Sequence, residues 1–256
     1  MKTIAIVTGA NGGFGRELTA LLVKEKIIDE IWAIARNEEK LSKLKSELGN
    51  KIRPISLDMS DRNSFDKLEE MLKSEPVRIA YLVNNAGFAK FGSYEDIGVE
   101  ESLNMIDLNV SAVVALCLKC IPFMERGSRI MNVSSLSSYF PLPYLNTYAS
   151  TKVFVRSYTR ALNVELKKKG ITATAVCPGW MVTNLYERAH TGSKNEIRCF
   201  FGMKHPADVA KKALKHTKKG KDMSSCGFYV KLIHLLSKVL PQRTMMKFWR
   251  MQQRIK

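Results

Sequence analysis

Two side chains set the chemical question. Tyr148 and Lys152 stand four residues apart, and Ser135 precedes the tyrosine by thirteen. On a helix, positions four apart share a face one turn from each other. An ammonium that close to a phenol favours the phenolate, so the spacing predicts that the Tyr148 pKa falls from about 10 toward neutrality. Such a phenol can donate or accept a proton at a reacting group. A hydroxyl at the end of a preceding strand, Ser135, could hold a carbonyl or alcohol oxygen beside it. On its own the Tyr-x-x-x-Lys spacing is weak, because such pairs are common on amphipathic helix surfaces, so what lies upstream decides its meaning.

Residues 3–8 (TIAIVT) form a short, β-branched apolar run, which reads as a strand buried on both faces. It leads into Thr8-Gly9-Ala10-Asn11-Gly12-Gly13-Phe14-Gly15 and then a helical pattern over 13–23. A strand, a glycine-rich turn and a helix N-terminus together suit a pyrophosphate: glycines admit close backbone approach, and the helix dipole favours negative charge. A second strand, 30–37, ends in Ala35-Arg36. A carboxylate at that strand end would bond an adenosine ribose, whereas arginine suits a 2′-phosphate, so NADP is favoured over NAD. Further strands over 51–58, 79–83, 129–134 and 171–177 alternate with helices over 38–48, 62–74, 99–124 and 148–169. That alternation predicts an α/β chain with a single-domain, Rossmann-type, doubly wound parallel sheet of six to seven strands and helices on both faces. Ligands of such sheets sit at the C-terminal strand ends. Asp58 with Met59, Asn84-Asn85-Ala86-Gly87, Ser135 and Pro178-Gly179 all fall there. Asn109 is a polar residue within an apolar helix and needs partners, in the core or in the site.

These motifs, in this order and spacing, resemble the short-chain dehydrogenase/reductase family over about residues 1–185. Gly9, Gly13 and Gly15 match its cofactor turn, and Arg36 the position its NADP-preferring members use. Asp58 matches the aspartate beside the adenine, Asn84 to Gly87 the Asn-Asn-Ala-Gly motif, and Pro178-Gly179 with Thr183 the loop that holds the carboxamide. Asn109, Ser135, Tyr148 and Lys152 match the catalytic tetrad. The resemblance implies hydride transfer between a nicotinamide and a secondary alcohol or ketone. In it Tyr148 is the acid or base, and Lys152 lowers its pKa and binds the ribose. Ser135 bonds the substrate oxygen, and Asn109 positions Lys152 through a water. Two features depart from the pattern: no basic residue stands at Asn11-Gly12, and a seventh strand shows only faintly near 222–227. The resemblance also implies homodimers or tetramers built from the helices near 99–124 and 147–169.

The rest of the sequence bounds the setting. Nothing in 256 residues suggests a linker or second domain, so 1–185 reads as the cofactor and catalytic core, 184–227 as a substrate lid region with a mobile lid over 184–201, and 228–256 as an extension. The five cysteines read as reduced thiols, and the four histidines show no metal-ligand spacing. With no signal peptide, and no apolar run approaching a membrane span, a cytoplasmic protein is expected. The formal charge of +17 is concentrated at the end: from Lys204 on there are 14 lysines and arginines against two carboxylates, a net of +12. The stretch 228–240 is amphipathic at helical spacing, and aromatic, methionine and basic residues interleave beyond it. It either packs its apolar side on the domain, closes the substrate pocket, or meets a membrane interface; nucleic acid is disfavoured. Phe88, Phe91, Leu136, Tyr139, Phe140, Leu142, Trp180, Met181 and Leu185 would wall a hydrophobic pocket, or in part belong to the core. The expected substrate is hydrophobic and potentially anionic, a hydroxysteroid or bile-acid-like molecule. A 3-oxoacyl thioester or other lipid ketone is the alternative, and a non-catalytic NADP-binding regulator a further one.

Overall fold

The computed structural model describes residues 1–183, Tyr186, Ala189, His190 and 197–255. Seven strands form one sheet in the order β3-β2-β1-β4-β5-β6-β7. They are β1 (Lys2–Thr8), β2 (Glu30–Ala35), β3 (Ile52–Ser56), β4 (Val77–Asn84), β5 (Met124–Val133), β6 (Thr172–Cys177) and β7 (Met223–Ser225). Every neighbouring pair is parallel. The chain runs outward from β1 to β3, then returns to lay β4 on the other side of β1. A crevice opens at that reversal, above the carboxyl ends of β1 and β4.

The period of two in β1 explains the layering. Ile4 and Ile6 join a core with Phe65, Leu68 and Leu72 of α3 (Asn63–Ser74), Leu116 of α5 (Ala112–Cys120) and Val155 and Leu162 of α6 (Asn146–Glu165). Ala5 and Val7 face the opposite layer. There Phe14, Leu18 and Leu22 of α1 (Gly13–Val23), Leu41 and Leu44 of α2 (Glu38–Leu48) and Val209, Ala213 and Leu214 of α7 (Pro206–Lys218) close the sheet. The doubly wound expectation is therefore met, and the faint seventh strand is real but only three residues long.

Between β4 and β5 the chain is helical from Val99 to Phe123, in three conformations. α4 (Val99–Ile106) leads into a π-helical turn over Asp107–Ser111, then α5, then a 3₁₀ turn over Ile121–Phe123. The expectation that nothing approaches a membrane span is corrected here. An 18-residue window within this 25-residue stretch has a mean hydropathy of 1.7, and the stretch is long and apolar enough to cross a bilayer by composition. Its apolar character has a local cause: Val113, Leu116, Cys117 and Cys120 pack against the sheet.

A third cluster caps the carboxyl end of the sheet. It joins Phe91, Leu136, Leu142, Leu145 and Ala149 to Val230 and Ile233 of α8 (Phe228–Val239) and to Met245 and Trp249 of α9 (Gln242–Gln253). The C-terminal extension thus packs one apolar side on the domain. Trp249 is buried, and its indole Nε1 donates to the Pro143 carbonyl at 3.0 Å.

Candidate active site

The glycine turn is fixed by its own crowding. Gly9 has φ +63° and Gly13 φ +37°, in the region side chains avoid. A Cβ on Gly15 would lie 2.1 Å from the Gly9 carbonyl oxygen. Gly12 caps α1 without any side-chain hydrogen bond, so the first-turn amides of α1 are not engaged by a capping side chain. The turn is tied to the end of β4 by Thr8, whose Oγ1 accepts from the Asn85 and Ala86 amides, each at 3.0 Å. Asn85 Nδ2 returns the contact to the Thr8 and Gly9 carbonyls. A backbone cradle at a helix N-terminus, open to close approach, fits a pyrophosphate.

At the outer edge of the sheet, Arg36 follows β2 and lies 3.8 Å from an Asp58 carboxylate oxygen. Burial alone would raise the Asp58 pKa, but two hydrogen bonds from Ser60 and the Arg36 charge outweigh it and hold the carboxyl low. Lys40, in the first turn of α2, lines the same cavity. It was not anticipated from the sequence, although its place four residues past Arg36 was the available signal.

The groups expected to transfer a proton line the same cavity. Tyr148 and Lys152 lie on α6, and the Ser134 hydroxyl joins that helix to the end of β5 by donating to the Lys152 carbonyl at 2.7 Å. Ser135 follows, capping a short turn through its Oγ. Burial pushes the Tyr148 phenol well above its ordinary value, and a hydrogen bond with Ser135 pulls the other way. The expected fall toward neutrality therefore does not occur in the chain alone, because desolvation of the phenolate dominates. Lys152 shows the mirror effect: burial lowers its ammonium to about 8. Its Nζ stands 5.6 Å from the centre of the Tyr148 ring and donates to the Val133 carbonyl at 2.9 Å.

Asn109 sits fully buried in the π-helical turn. Its Oδ1 accepts from the Phe88 amide at 3.1 Å, and its Nδ2 donates to the Phe88 carbonyl and to Thr151. It therefore holds the loop after β4 and the residue next to Lys152, with no hydrogen bond to Lys152 itself. Gly87 lies between the two: a Cβ there would be 2.7 Å from Asn109 Oδ1 and 3.4 Å from Lys152 Nζ.

One cavity of about 640 Å³ joins these parts. It is lined by Gly9, Asn11, Gly12, Gly13, Phe14, Arg36, Asp58, Met59, Asn85, Ala86, Gly87, Ser135, Tyr148, Lys152, Pro178, Gly179 and Thr183. Thr8, Gly15 and Asn109 do not line it; they stand behind it and shape its wall. Asn84 is a core residue that donates to Asn132 at 2.8 Å. The loop after β6 reaches across: Thr183 Cγ2 would lie 2.9 Å from a Cβ on Gly13.

The family model for short chain dehydrogenases matches residues 3–194. This chain belongs to that family. A sulfoacetaldehyde reductase of Chromohalobacter salexigens is 30% identical over 192 residues, 72% of this chain and 74% of that relative. A short-chain dehydrogenase from Sphingobium yanoikuyae, solved with NADPH, superposes with a TM-score of 0.77 at 22% identity, covering 96% of each chain. One from Burkholderia phymatum, solved with NAD, reaches 0.80 at 18%, covering 92% of each. This short-chain dehydrogenase therefore shares its fold with proteins that hold either dinucleotide.

The apolar walls of the cavity are only partly as expected. Phe91, Leu136, Leu142, Trp180 and Met181 line it, joined by Ala89, Leu145 and Tyr186. Tyr139 and Phe140 are core residues, and Phe88 lines a separate, smaller cavity. Leu185, and much of the expected 184–201 lid, lie outside the described residues. Among the described lining residues the cations are Arg36, Lys40 and Lys152. No group of metal-ligating side chains occurs among the described residues, and the five cysteines are free thiols.

Proposed function

We propose that the chain is an NADPH-dependent reductase of a hydrophobic ketone, with a hydroxysteroid or bile-acid-like molecule as the expected class. One observation carries the reading: Ser135, Tyr148 and Lys152 converge on the apolar end of the cavity whose other end is the glycine turn. The turn, Asn85 to Gly87 and Pro178 to Thr183 would hold the dinucleotide. Arg36 and Lys40 favour a 2′-phosphate there, where Ala35 supplies no carboxylate to repel it. When bound, the nicotinamide supplies the hydride. The chain supplies the proton. Tyr148, kept protonated by its burial, gives its proton to the carbonyl oxygen as that oxygen gains charge. Ser135 bonds the same oxygen, and stabilisation at that point is where such sites gain most. The Lys152 charge offsets the phenolate left behind, and Asn109 keeps the loop and α6 in register around it. This complete set of groups argues against a regulator without activity.

The pocket walls favour bulky apolar substrates over small polar ones. The sulfoacetaldehyde reductase relative, by its name, acts on a small anion, yet among the described residues the apolar end presents no cation beyond Lys152. A panel of ketosteroids, 3-oxoacyl thioesters and short polar aldehydes, followed by loss of NADPH absorbance, tests the reading. Turnover confined to the polar aldehydes would contradict it, and turnover of the thioesters alone would select the lipid-ketone alternative.

A further inference from the structure

α8 carries two apolar stripes, and only one is used by the fold. Val230 and Ile233 are buried, and Val230 packs against Gly179. Phe228, Leu232, Leu235 and Val239, spaced four, three and four apart, form a second line on the exposed side. Phe228 is 81% exposed and Val239 74%. α9 repeats the arrangement: Met245 and Trp249 point inward, while Phe248 and Met251 are exposed. From Met223 to the end of the chain there are seven lysines and arginines and no carboxylate. None of Lys231, Lys238, Arg243, Lys247, Arg250 or Arg254 forms a salt bridge with a carboxylate among the described residues.

We propose that the outer face of α8 and α9 docks on an anionic lipid bilayer. The charge decides the occupant. A second copy of this face would bring like charges together with no acid to answer them, whereas an anionic membrane supplies both the apolar layer and the countercharge. The exposed aromatic and aliphatic stripe enters the acyl boundary, and the flanking basic side chains extend to the headgroups. The inner face of α9 stacks Trp249 on Trp180, which lines the cavity. Docking therefore holds the apolar end of the cavity near a phase in which lipophilic ketones concentrate. The inference needs no assumption about which substrate is reduced.

The test is co-sedimentation of the full chain with vesicles of phosphatidylcholine alone or mixed equally with phosphatidylglycerol. Binding to the anionic vesicles, at least 10-fold above the neutral ones and falling with salt, is expected. Phe228→Asp with Leu235→Asp should cut it at least 10-fold, as should Lys247→Glu with Arg250→Glu. Tyr94→Asp, at an exposed aromatic elsewhere, should leave it unchanged. NADPH binding and circular dichroism check that each variant folds. Absence of wild-type binding overturns the proposal, as does equal loss in the Tyr94 variant. So does sedimentation velocity showing that the Phe228/Leu235 change dissociates a wild-type dimer, which would make this face a contact between copies.

Discussion

At the residue scale, opposite shifts on neighbouring groups organise the site. One buried environment disfavours both charges, raising the Tyr148 phenol and lowering the Lys152 ammonium to about 8. A lysine with a depressed pKa carries its charge below that value and loses it above. Where that charge attracts an anionic dinucleotide, kcat/KM for NADPH should be level through neutrality and fall as pH passes about 8. Because kcat/KM reports groups of the free enzyme, initial rates against pH check this directly, and a level profile to pH 9.5 would remove the lysine from binding. Arg36 makes a separable contribution. A hydrogen bond to a charged group is worth about 1.5–3 kcal/mol, so Arg36→Ala should raise KM for NADPH roughly 10- to 100-fold and leave KM for NADH nearly unchanged. Steady-state kinetics with both coenzymes decide it. Residue types and spacings were enough to find these groups, but not their electrostatics. The sequence shows that an ammonium lies one turn from a phenol; it does not show how much water either has lost.

At the element scale, close approach explains why certain positions admit no side chain. Gly15→Ala would drive a methyl into the Gly9 carbonyl oxygen at 2.1 Å, with no flexible atom to give way. The turn must open, and NADPH affinity by fluorescence titration should fall at least 100-fold while the far sheet stays folded. The π-helical turn over Asp107–Ser111 is the element least visible beforehand. A continuous apolar helix was the natural reading of that stretch, with Asn109 flagged only because a buried amide needs partners. The extra residue in the turn re-aims that amide at Phe88 and Thr151, which no hydrophobic period encodes. Asn109→Leu keeps the volume but strands the Phe88 amide and carbonyl, at about 1–3 kcal/mol each. Thermal unfolding should register that loss.

For the whole molecule, the strand-helix alternation was legible because a sheet buried on both faces reads as short apolar runs. The third core cluster was legible only in part, as an apolar side of 228–240 that could pack on the domain, because its members come from 89–91, 136–149, 175–177, Ala189, Ile197 and 230–255, which meet only after folding. Trp249 is the anchor there: buried, and bonded to Pro143. Trp249→Ala should cost about 3–5 kcal/mol, lowering Tm by roughly 6–20 °C in a chain of this size, as calorimetry would show. The same cluster joins the extension to the segment that carries Leu136 to Ala149, and under the proposed function the molecule works as one cavity with a dinucleotide cradle at one end and a proton donor at the other. The most direct test of that claim compares Tyr148→Phe with the unaltered chain in two assays, NADPH affinity and ketone turnover. Affinity within about threefold, with turnover lower by a factor of about 100 to 10,000, is the predicted result. A variant that binds NADPH equally well and keeps most of its turnover would contradict it.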